Sequence, residues 1–130
     1  MRILLDTQVF IWLVNDDPKL GSQSKKLVLS TQNQVSISFL SFFEMAIKAS
    51  LGKLTFDPSI MQDLEKMGVE HILGDYTSLV QYKVFNEKNK DPFDNFLIAT
   101  AKANDFSLLT SDHKILEIKV PGLEILDAAK

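Results

Sequence analysis

The chain has 130 residues, 45% of them hydrophobic and 24% charged, with a formal net charge of −3 and no cysteine. These values are typical of a soluble globular protein, and we expect residues 1–130 to form a single domain. The lack of Cys excludes disulfides, thiolate metal sites and cysteine catalysis, and it is compatible with a cytoplasmic location. No signal peptide and no membrane span are expected, because no run of about 20 apolar residues occurs.

Short apolar runs alternate with helical patterns along the chain. The predicted strands are residues 2–5, 34–38, 69–73, 106–110 and 123–126, and the predicted helices are 9–14, 22–30, 39–50, 57–67, 76–85 and a helix that begins at 92. The alternation predicts an α/β fold, a central parallel sheet of four to five strands flanked by helices on both faces. Within the helix 39–50, we expect Phe39, Phe43, Ala46 and Ile47 to be buried.

Asp6 and Thr7 end the first strand, whose residues are continuously apolar, as in a strand buried on both faces of a sheet. Open α/β sheets place their ligands at the carboxyl ends of such strands. A second interpretation is equally open, in which Asp6 is the N-cap of the following helix.

Glu44 lies at the border of the apolar face of its predicted helix. At 100° per residue it is close in angle to Leu40 and to Lys48, so it does not stand in the middle of the wet face. A surface ion pair between Glu44 and Lys48 at i,i+4 explains it without any functional role. A role in a site at the sheet edge is the alternative.

The stretch from Lys90 to Ala101 reads as a helix entrance with two acids. Pro92 suits the first helical position, which makes Asp91 the N-cap and puts Asp94 in the acid-favouring first turn. Helix capping alone is enough to explain both acids. The same Asp-Pro pair occurs at Asp57 and Pro58, where we expect only a cap.

Four acids nevertheless follow strand ends or open helices in this fold: Asp6, Glu44, Asp94 and Asp112. If their elements are neighbours, the four carboxylates converge on the carboxyl edge of one sheet. Two bare carboxylates about 4 Å apart repel by about 4 kcal/mol at an effective dielectric near 20, so a cation among them is expected. Oxygen ligands alone select Mg²⁺ or Mn²⁺, and such an ion can activate water against a phosphodiester. The pattern therefore indicates a metal-dependent nuclease.

Several segments carry a family resemblance in their order and spacing. They are Leu4–Trp12, Ser36–Ser38 followed by Glu44–Lys48 and Leu51–Leu54, Lys90–Asp94 followed by Leu97–Ala101, and Leu108–Asp112. In these the chain resembles PIN-domain proteins, and more specifically VapC-type toxin ribonucleases of type II toxin–antitoxin pairs.

The resemblance implies a PIN-like parallel sheet and endonucleolytic cleavage of RNA that depends on Mg²⁺ or Mn²⁺. It implies metal-binding and catalytic roles for Asp6, Glu44, Asp94 and Asp112, with Asp91 as a nearby supporting acid. It also implies two protein partners: a small cognate antitoxin that covers the acidic groove, and a second copy of the chain, in a homodimer formed through the first and neighbouring helices.

Further polar residues are candidates for a supporting role. The hydroxyls of Thr7, Ser38 and Thr110 either hydrogen-bond the acids or cap helices, and Lys48 either contacts RNA phosphate or is a surface lysine. No role is assigned to the two histidines.

The chain departs from the family pattern at Asn89, Asn95 and Ser111, where members often carry basic residues. The lack of basic side chains at these three positions slightly favours a non-catalytic PIN-fold binding module that acts through protein contacts, whereas the intact acids argue against it. Phosphoryl transfer to Asp6 is disfavoured, because a dehalogenase-like phosphatase needs a second Asp where Gln8 stands.

Overall fold

The computed structural model describes residues 1–55, 57, 59–85 and 91–130. Its five strands all pair in parallel, in the spatial order β3-β2-β1-β4-β5. The strands are β1 (Arg2–Leu5), β2 (Gln34–Ser38), β3 (Val69–Ile72), β4 (Ser107–Thr110) and β5 (Ile125–Asp127). The central strand is β1, in which Leu4 lies opposite Ser36 of β2 and Leu108 of β4.

Helices connect the strands and cover both faces of the sheet. They are α1 (Thr7–Val14), α2 (Ser22–Leu29), α3 (Phe39–Ser50), α4 (Ile60–Met67), α5 (Tyr76–Phe85), α6 (Pro92–Ala103) and α7 (His113–Leu116). The predicted α/β class, with helices on both faces of a parallel sheet, is confirmed.

Two hydrophobic layers sandwich the sheet, because side chains of a strand alternate between its faces. On one face, Ile3 and Leu5 pack with residues of α1, α2, α3 and α4. On the other, Leu4 and Leu108 pack with α6 and α7. Ile3, Leu4 and Leu5 of β1 are each 0% exposed, so the acid that follows them stands at the end of a completely buried segment of the central strand.

The prediction of the buried side of α3 was wrong. Its buried residues are Ser41, Phe42 and Met45, whereas Phe39 and Phe43 are about half exposed, at 48% and 51%. The helix carries apolar residues on two sides, so its periodicity alone did not decide which side faces the sheet. The side that faces the sheet is the one that carries Phe42, whose ring packs edge-on against the Phe10 ring, with 5.6 Å between the centroids.

Two further differences concern helix positions. Helix α7 was not predicted, because its four residues are too few to show a periodic pattern. The helix expected from residue 57 begins at Ile60 instead, and the Asp57 carboxylate accepts a hydrogen bond from Ser59 N–H at 2.9 Å. Residues 86–90, predicted to be a polar loop, lie outside the described residues.

Within the described part of the chain, no helix combines the length and the apolar character that crossing a membrane requires.

Candidate active site

The order of the strands reverses at β1, because β2 and β3 are added on one side of it and β4 and β5 on the other. A crevice at such a reversal, outside the carboxyl ends of the strands, is the usual ligand position in open α/β sheets. Asp6 follows β1 here and Asp112 lies two residues beyond β4. The two strand ends are joined by a hydrogen bond from Asp6 N–H to the Leu109 carbonyl, at 3.0 Å.

A cleft of about 310 Å³ opens at this edge. Five carboxylates contribute to its lining, and they come from four different parts of the chain: two strand ends and the helices α3 and α6. The lining residues are Asp6, Thr7, Gln8, Glu44, Lys48, Asp91, Asp94, Ser111 and Asp112. All four of the acids predicted to form the site thus face one cleft, together with the supporting acid Asp91.

Asp6 is the most buried of these acids, with 5% of its surface exposed. One carboxylate oxygen accepts from Val9 N–H at 2.8 Å, which caps α1. The other accepts from the Thr110 hydroxyl and from Ser111 N–H. Burial raises the pKa of Asp6 above the usual value for an aspartate, and the Asp112 charge adds to the rise, whereas these hydrogen bonds lower it.

Glu44 reaches the cleft from α3 and has both carboxylate oxygens engaged. Its Oε1 accepts from the Thr7 hydroxyl at 2.9 Å, and its Oε2 lies 3.1 Å from Lys48 Nζ. The Glu44 side chain is 15% exposed and that of Lys48 is 44% exposed. The ion pair predicted as the simple explanation of Glu44 is therefore present, and it lies inside the cleft.

Asp91 and Asp112 cap helices whose first turns border the cleft. Asp91 Oδ1 accepts from the backbone N–H groups of Phe93 and Asp94, at 2.9 and 3.2 Å, and so caps α6. Asp112 Oδ1 accepts from Lys114 N–H at 2.8 Å and caps α7. The positive end of the α6 dipole, which favours carboxylates, reduces the cost of gathering them here.

The ligand set available in the cleft consists of oxygen atoms, from carboxylates and hydroxyls, and such ligands suit Mg²⁺ or Mn²⁺ better than zinc. Over the described ranges, however, no three acids or histidines are grouped closely enough to hold a metal ion as they stand. In this arrangement Glu44 is turned to Thr7 and Lys48, and the two oxygens of Asp6 accept hydrogen bonds from α1 and from the end of β4.

The supporting residues divide into two groups. Thr7 and Thr110 donate hydrogen bonds to acids of the cleft, which is one of the two roles predicted for their hydroxyls. Ser38 instead accepts from Leu40 N–H at 3.2 Å and caps α3, and it does not line this cleft. Lys48 lines it.

Sequence reasoning missed Gln8 and Ser111 as cleft residues. Ser111 N–H donates to Asp6, a backbone contact for which no side-chain pattern gives a signal. Gln8 is exposed beside Asp6 and carries no charge, so its residue type gave no signal either.

The three departures from the family pattern have different outcomes. Ser111 lines the cleft without a charge, Asn95 is completely buried in α6, and Asn89 lies outside the described residues. The two histidines are elsewhere: the His71 ring packs near the rings of Phe39 and Phe42, and His113 is exposed on α7.

Solved structures of three bacterial complexes resemble this chain over most of its length. VapBC2 from Rickettsia felis, bound to a DNA fragment from its promoter, aligns with a TM-score of 0.71 and 18% identity over 98% of both chains. VapBC-1 from nontypeable Haemophilus influenzae aligns with a TM-score of 0.71 and 21% identity over 100% of both. A toxin–antitoxin complex from Klebsiella pneumoniae aligns with a TM-score of 0.60 and 20% identity over 93% of this chain and 94% of that one. At these identities the likeness establishes a shared fold.

No curated protein matches the sequence. The family model described as the PIN domain matches residues 3–121, a range that contains every residue of the acidic cleft. The chain belongs to the PIN-domain family.

Proposed function

We propose that this protein is an endoribonuclease that depends on Mg²⁺ or Mn²⁺ and hydrolyses RNA phosphodiesters. The observation that supports it is the convergence of Asp6, Glu44, Asp94 and Asp112 on one cleft at the reversal of strand order. Membership of a family whose proteins are generally nucleases is consistent with it.

In this proposal the four acids would hold the cation, which would supply Lewis acidity for the attack of water on phosphorus and for the departure of the ribose oxygen. The chain's own contacts keep the ligands in place. Thr110 and Ser111 hold Asp6, while the caps at Asp91 and Asp112 fix the first turns of α6 and α7. Groups of this kind that orient metal ligands affect metal affinity and activity strongly.

The test is cleavage of total bacterial RNA in Mn²⁺ by the wild type and by Asp94→Asn. Asp105→Asn is the matched control, because it makes the same chemical change at an exposed residue outside the cleft whose φ of 56° Asn tolerates. We expect cleavage by the wild type and the control and none by Asp94→Asn. Equal cleavage by all three proteins would refute the assignment of the acids. A wild type that neither binds Mn²⁺ nor cleaves RNA would instead favour the non-catalytic binding module.

We further propose that the protein is the toxin of a toxin–antitoxin pair and acts in the cytoplasm. The structural neighbours support the toxin role, since they come from complexes of such pairs. In addition to the acidic cleft, which the resemblance implies the antitoxin covers, a separate groove of about 210 Å³ beside α1 and α4 offers an apolar floor, with Ile11, Met45 and Ile60, next to the carboxylates Asp57 and Asp63. This chemistry suits an amphipathic antitoxin helix that also carries basic residues.

Expression of the chain alone should arrest bacterial growth, and co-expression with a short protein encoded in the adjacent reading frame should relieve the arrest. Relief that survives Ile11→Asp together with Ile60→Asp, two partly buried residues of the groove, in a variant that still arrests growth when expressed alone, would exclude this groove as the docking site. Growth that continues without any antitoxin would count against the toxin role.

We also propose a homodimer, as the resemblance implies, but through α3 and α5 rather than α1. Large apolar residues are exposed on these two helices: Phe39, Phe43, Ile47, Tyr76, Leu79 and Val80. An exposed patch of this kind is typical of a protein–protein interface. Leu79→Asp should give a monomer in light scattering, and Leu29→Asp, a change of an equally exposed leucine on α2, should leave the dimer intact. A wild-type monomer would contradict the proposal.

A further inference from the structure

The charges that line the cleft are strongly unbalanced. Five carboxylates contribute to its lining, and over the described ranges Lys48 is the only side chain there with a permanent positive charge. Lys88 and Lys90 lie outside those ranges. A lone ammonium among several carboxylates has a large electrostatic influence on any ion that enters, since screening is weaker in a cleft than at an open surface.

Lys48 is placed to compete for a ligand of the proposed metal. Its Nζ lies 3.1 Å from Oε2 of Glu44, while the Thr7 hydroxyl takes Oε1 at 2.9 Å. Both oxygens of this carboxylate are therefore already used by the chain itself. Each oxygen keeps a second lone pair, but a divalent cation on Oε2 would lie close to the Lys48 ammonium, and the repulsion between the two positive charges favours release of the lysine.

The Lys48 contact is the one that exchanges more easily. Lys48 and Glu44 are an i,i+4 pair on α3, and the lysine is 44% exposed on a flexible four-carbon stem. Partly exposed pairs of this type stabilise little, so breaking the contact costs little. Thr7 is buried at the start of α1 and is far less free to move away.

We propose that Lys48 is an exchangeable counter-ion. It neutralises Glu44 while the cleft holds no divalent cation, and it moves to a phosphate of the RNA once the cation takes Glu44. The inference rests on the proposed ribonuclease function and adds to it a substrate-binding residue that also sets the metal affinity. An ammonium binds phosphate as a point charge and needs no fixed geometry, which suits a side chain with two alternative partners.

The experiment compares Lys48→Met with Lys26→Met, which removes the same charge from an exposed site on α2 outside the cleft. Mn²⁺ affinity is measured by calorimetry without RNA. The kinetic constants kcat and KM are then measured in Mn²⁺ at several salt concentrations, on a fluorescently labelled single-stranded RNA of mixed sequence. Lys48→Arg tests for rescue by charge.

We expect Lys48→Met to bind Mn²⁺ about two- to fivefold more tightly than the wild type, the factor that corresponds to losing a partly exposed ion pair. Its KM for RNA should rise about fivefold, and the dependence of log(1/KM) on log[salt] should become shallower by about 0.7, the value for one phosphate contact to a single strand. Lys26→Met should match the wild type in both measurements, and Lys48→Arg should restore the KM and its salt dependence.

A lysine with a merely structural role would not produce tighter Mn²⁺ binding together with weaker RNA binding when it is replaced. Unchanged or weaker Mn²⁺ binding by Lys48→Met would overturn the competition with the metal, and an unchanged KM would overturn the contact with RNA. If the wild type binds Mn²⁺ and cleaves RNA while Lys48→Met behaves like Lys26→Met, this inference alone fails. A wild type that does neither refutes the proposed function and this inference with it.

Discussion

Thr110 makes the most sharply testable contact of the cleft, because its one hydroxyl serves two partners. It donates to the buried Asp6 carboxylate and accepts from Asp112 N–H at 3.1 Å, and it is itself 0% exposed. Thr110→Val keeps the shape of the side chain and removes both hydrogen bonds. It leaves a carboxylate with one donor fewer and a backbone N–H without its acceptor.

The expected loss follows from these two contacts. A hydrogen bond to a charged group contributes about 1.5–3 kcal/mol, and an unsatisfied buried donor costs about 1 kcal/mol or more. We therefore expect Thr110→Val to lower the free energy of unfolding by about 2–4 kcal/mol at pH 7. Thr110→Ser is the control, since it keeps the hydroxyl and loses one buried methyl group, at a cost of about 1 kcal/mol.

The pH dependence gives the prediction a sign. Burial raises the pKa of Asp6 in the folded state, and loss of the Thr110 hydroxyl raises it further, because that hydrogen bond favours the ionised form. The deficit of Thr110→Val therefore grows as pH rises through the pKa of Asp6 and shrinks at acid pH, where the carboxyl is neutral. Urea unfolding at several pH values, without divalent cations, measures this. Equal stabilities of the Val and Ser variants at pH 7 would refute the reasoning.

Three further predictions concern the acids. Asp6→Asn should not lower the melting temperature at pH 7. The pKa of Asp6 is raised in the folded protein, so the stability that a neutral Asp6 contributes is already lost as pH rises through that pKa. A large drop in the melting temperature, measured by calorimetry, would contradict this. Asp75→Ala should lower the free energy of unfolding, measured in urea, by about 0.5–2 kcal/mol, because it removes the acceptor of Ser78 N–H. That contact lowers the pKa of Asp75, so the cost should fade as pH drops through the pKa of Asp75 in the folded protein. Asp75→Asn should cost little, since Asn is also a good N-cap. Mn²⁺ at about 100 times its Kd should stabilise the wild type and Asp105→Asn by about 2.7 kcal/mol, and a similar shift for Asp94→Asn in thermal denaturation would show that the ion binds elsewhere.

Local sequence signals predicted most of the elements because each signal acts over a few residues. Asp91 before Pro92 placed the start of α6 correctly, and Asp91 does cap it. The strand order is a different matter, since no local pattern states which strand lies beside β1. The convergence of the acids could therefore be predicted only on the condition that their elements are neighbours, and the pairing of β1 with both β2 and β4 meets that condition.

The side of α3 that packs on the sheet was not predictable for a related reason. Both sides of this helix are apolar, and the free energy of burial differs little between them per residue. The choice is made by partners distant in the chain, Phe10 and His71, which contact the Phe42 ring. The side that sequence reasoning assigned to the core is the one left exposed, and it is the surface for which a second copy is proposed.

Helix capping and membership of the acidic cleft are not alternatives at Asp6, Asp91 and Asp112. Each of them accepts backbone N–H groups at the start of a helix and lines the same cleft. A carboxylate whose one oxygen is fixed by a cap has lost its rotational freedom before any ligand arrives, so a ligand does not have to supply that ordering. Repulsion among the acids is lowered at the same time by the N–H groups they accept from. Glu44, within α3, and Asp94, in the first turn of α6, are the two acids of the cleft that are not N-caps. Glu44 is paired with Lys48, whose side chain is 44% exposed, and a partly exposed ion pair exchanges at little cost. The adjustable element of the site is therefore expected at Glu44 and not at the three caps.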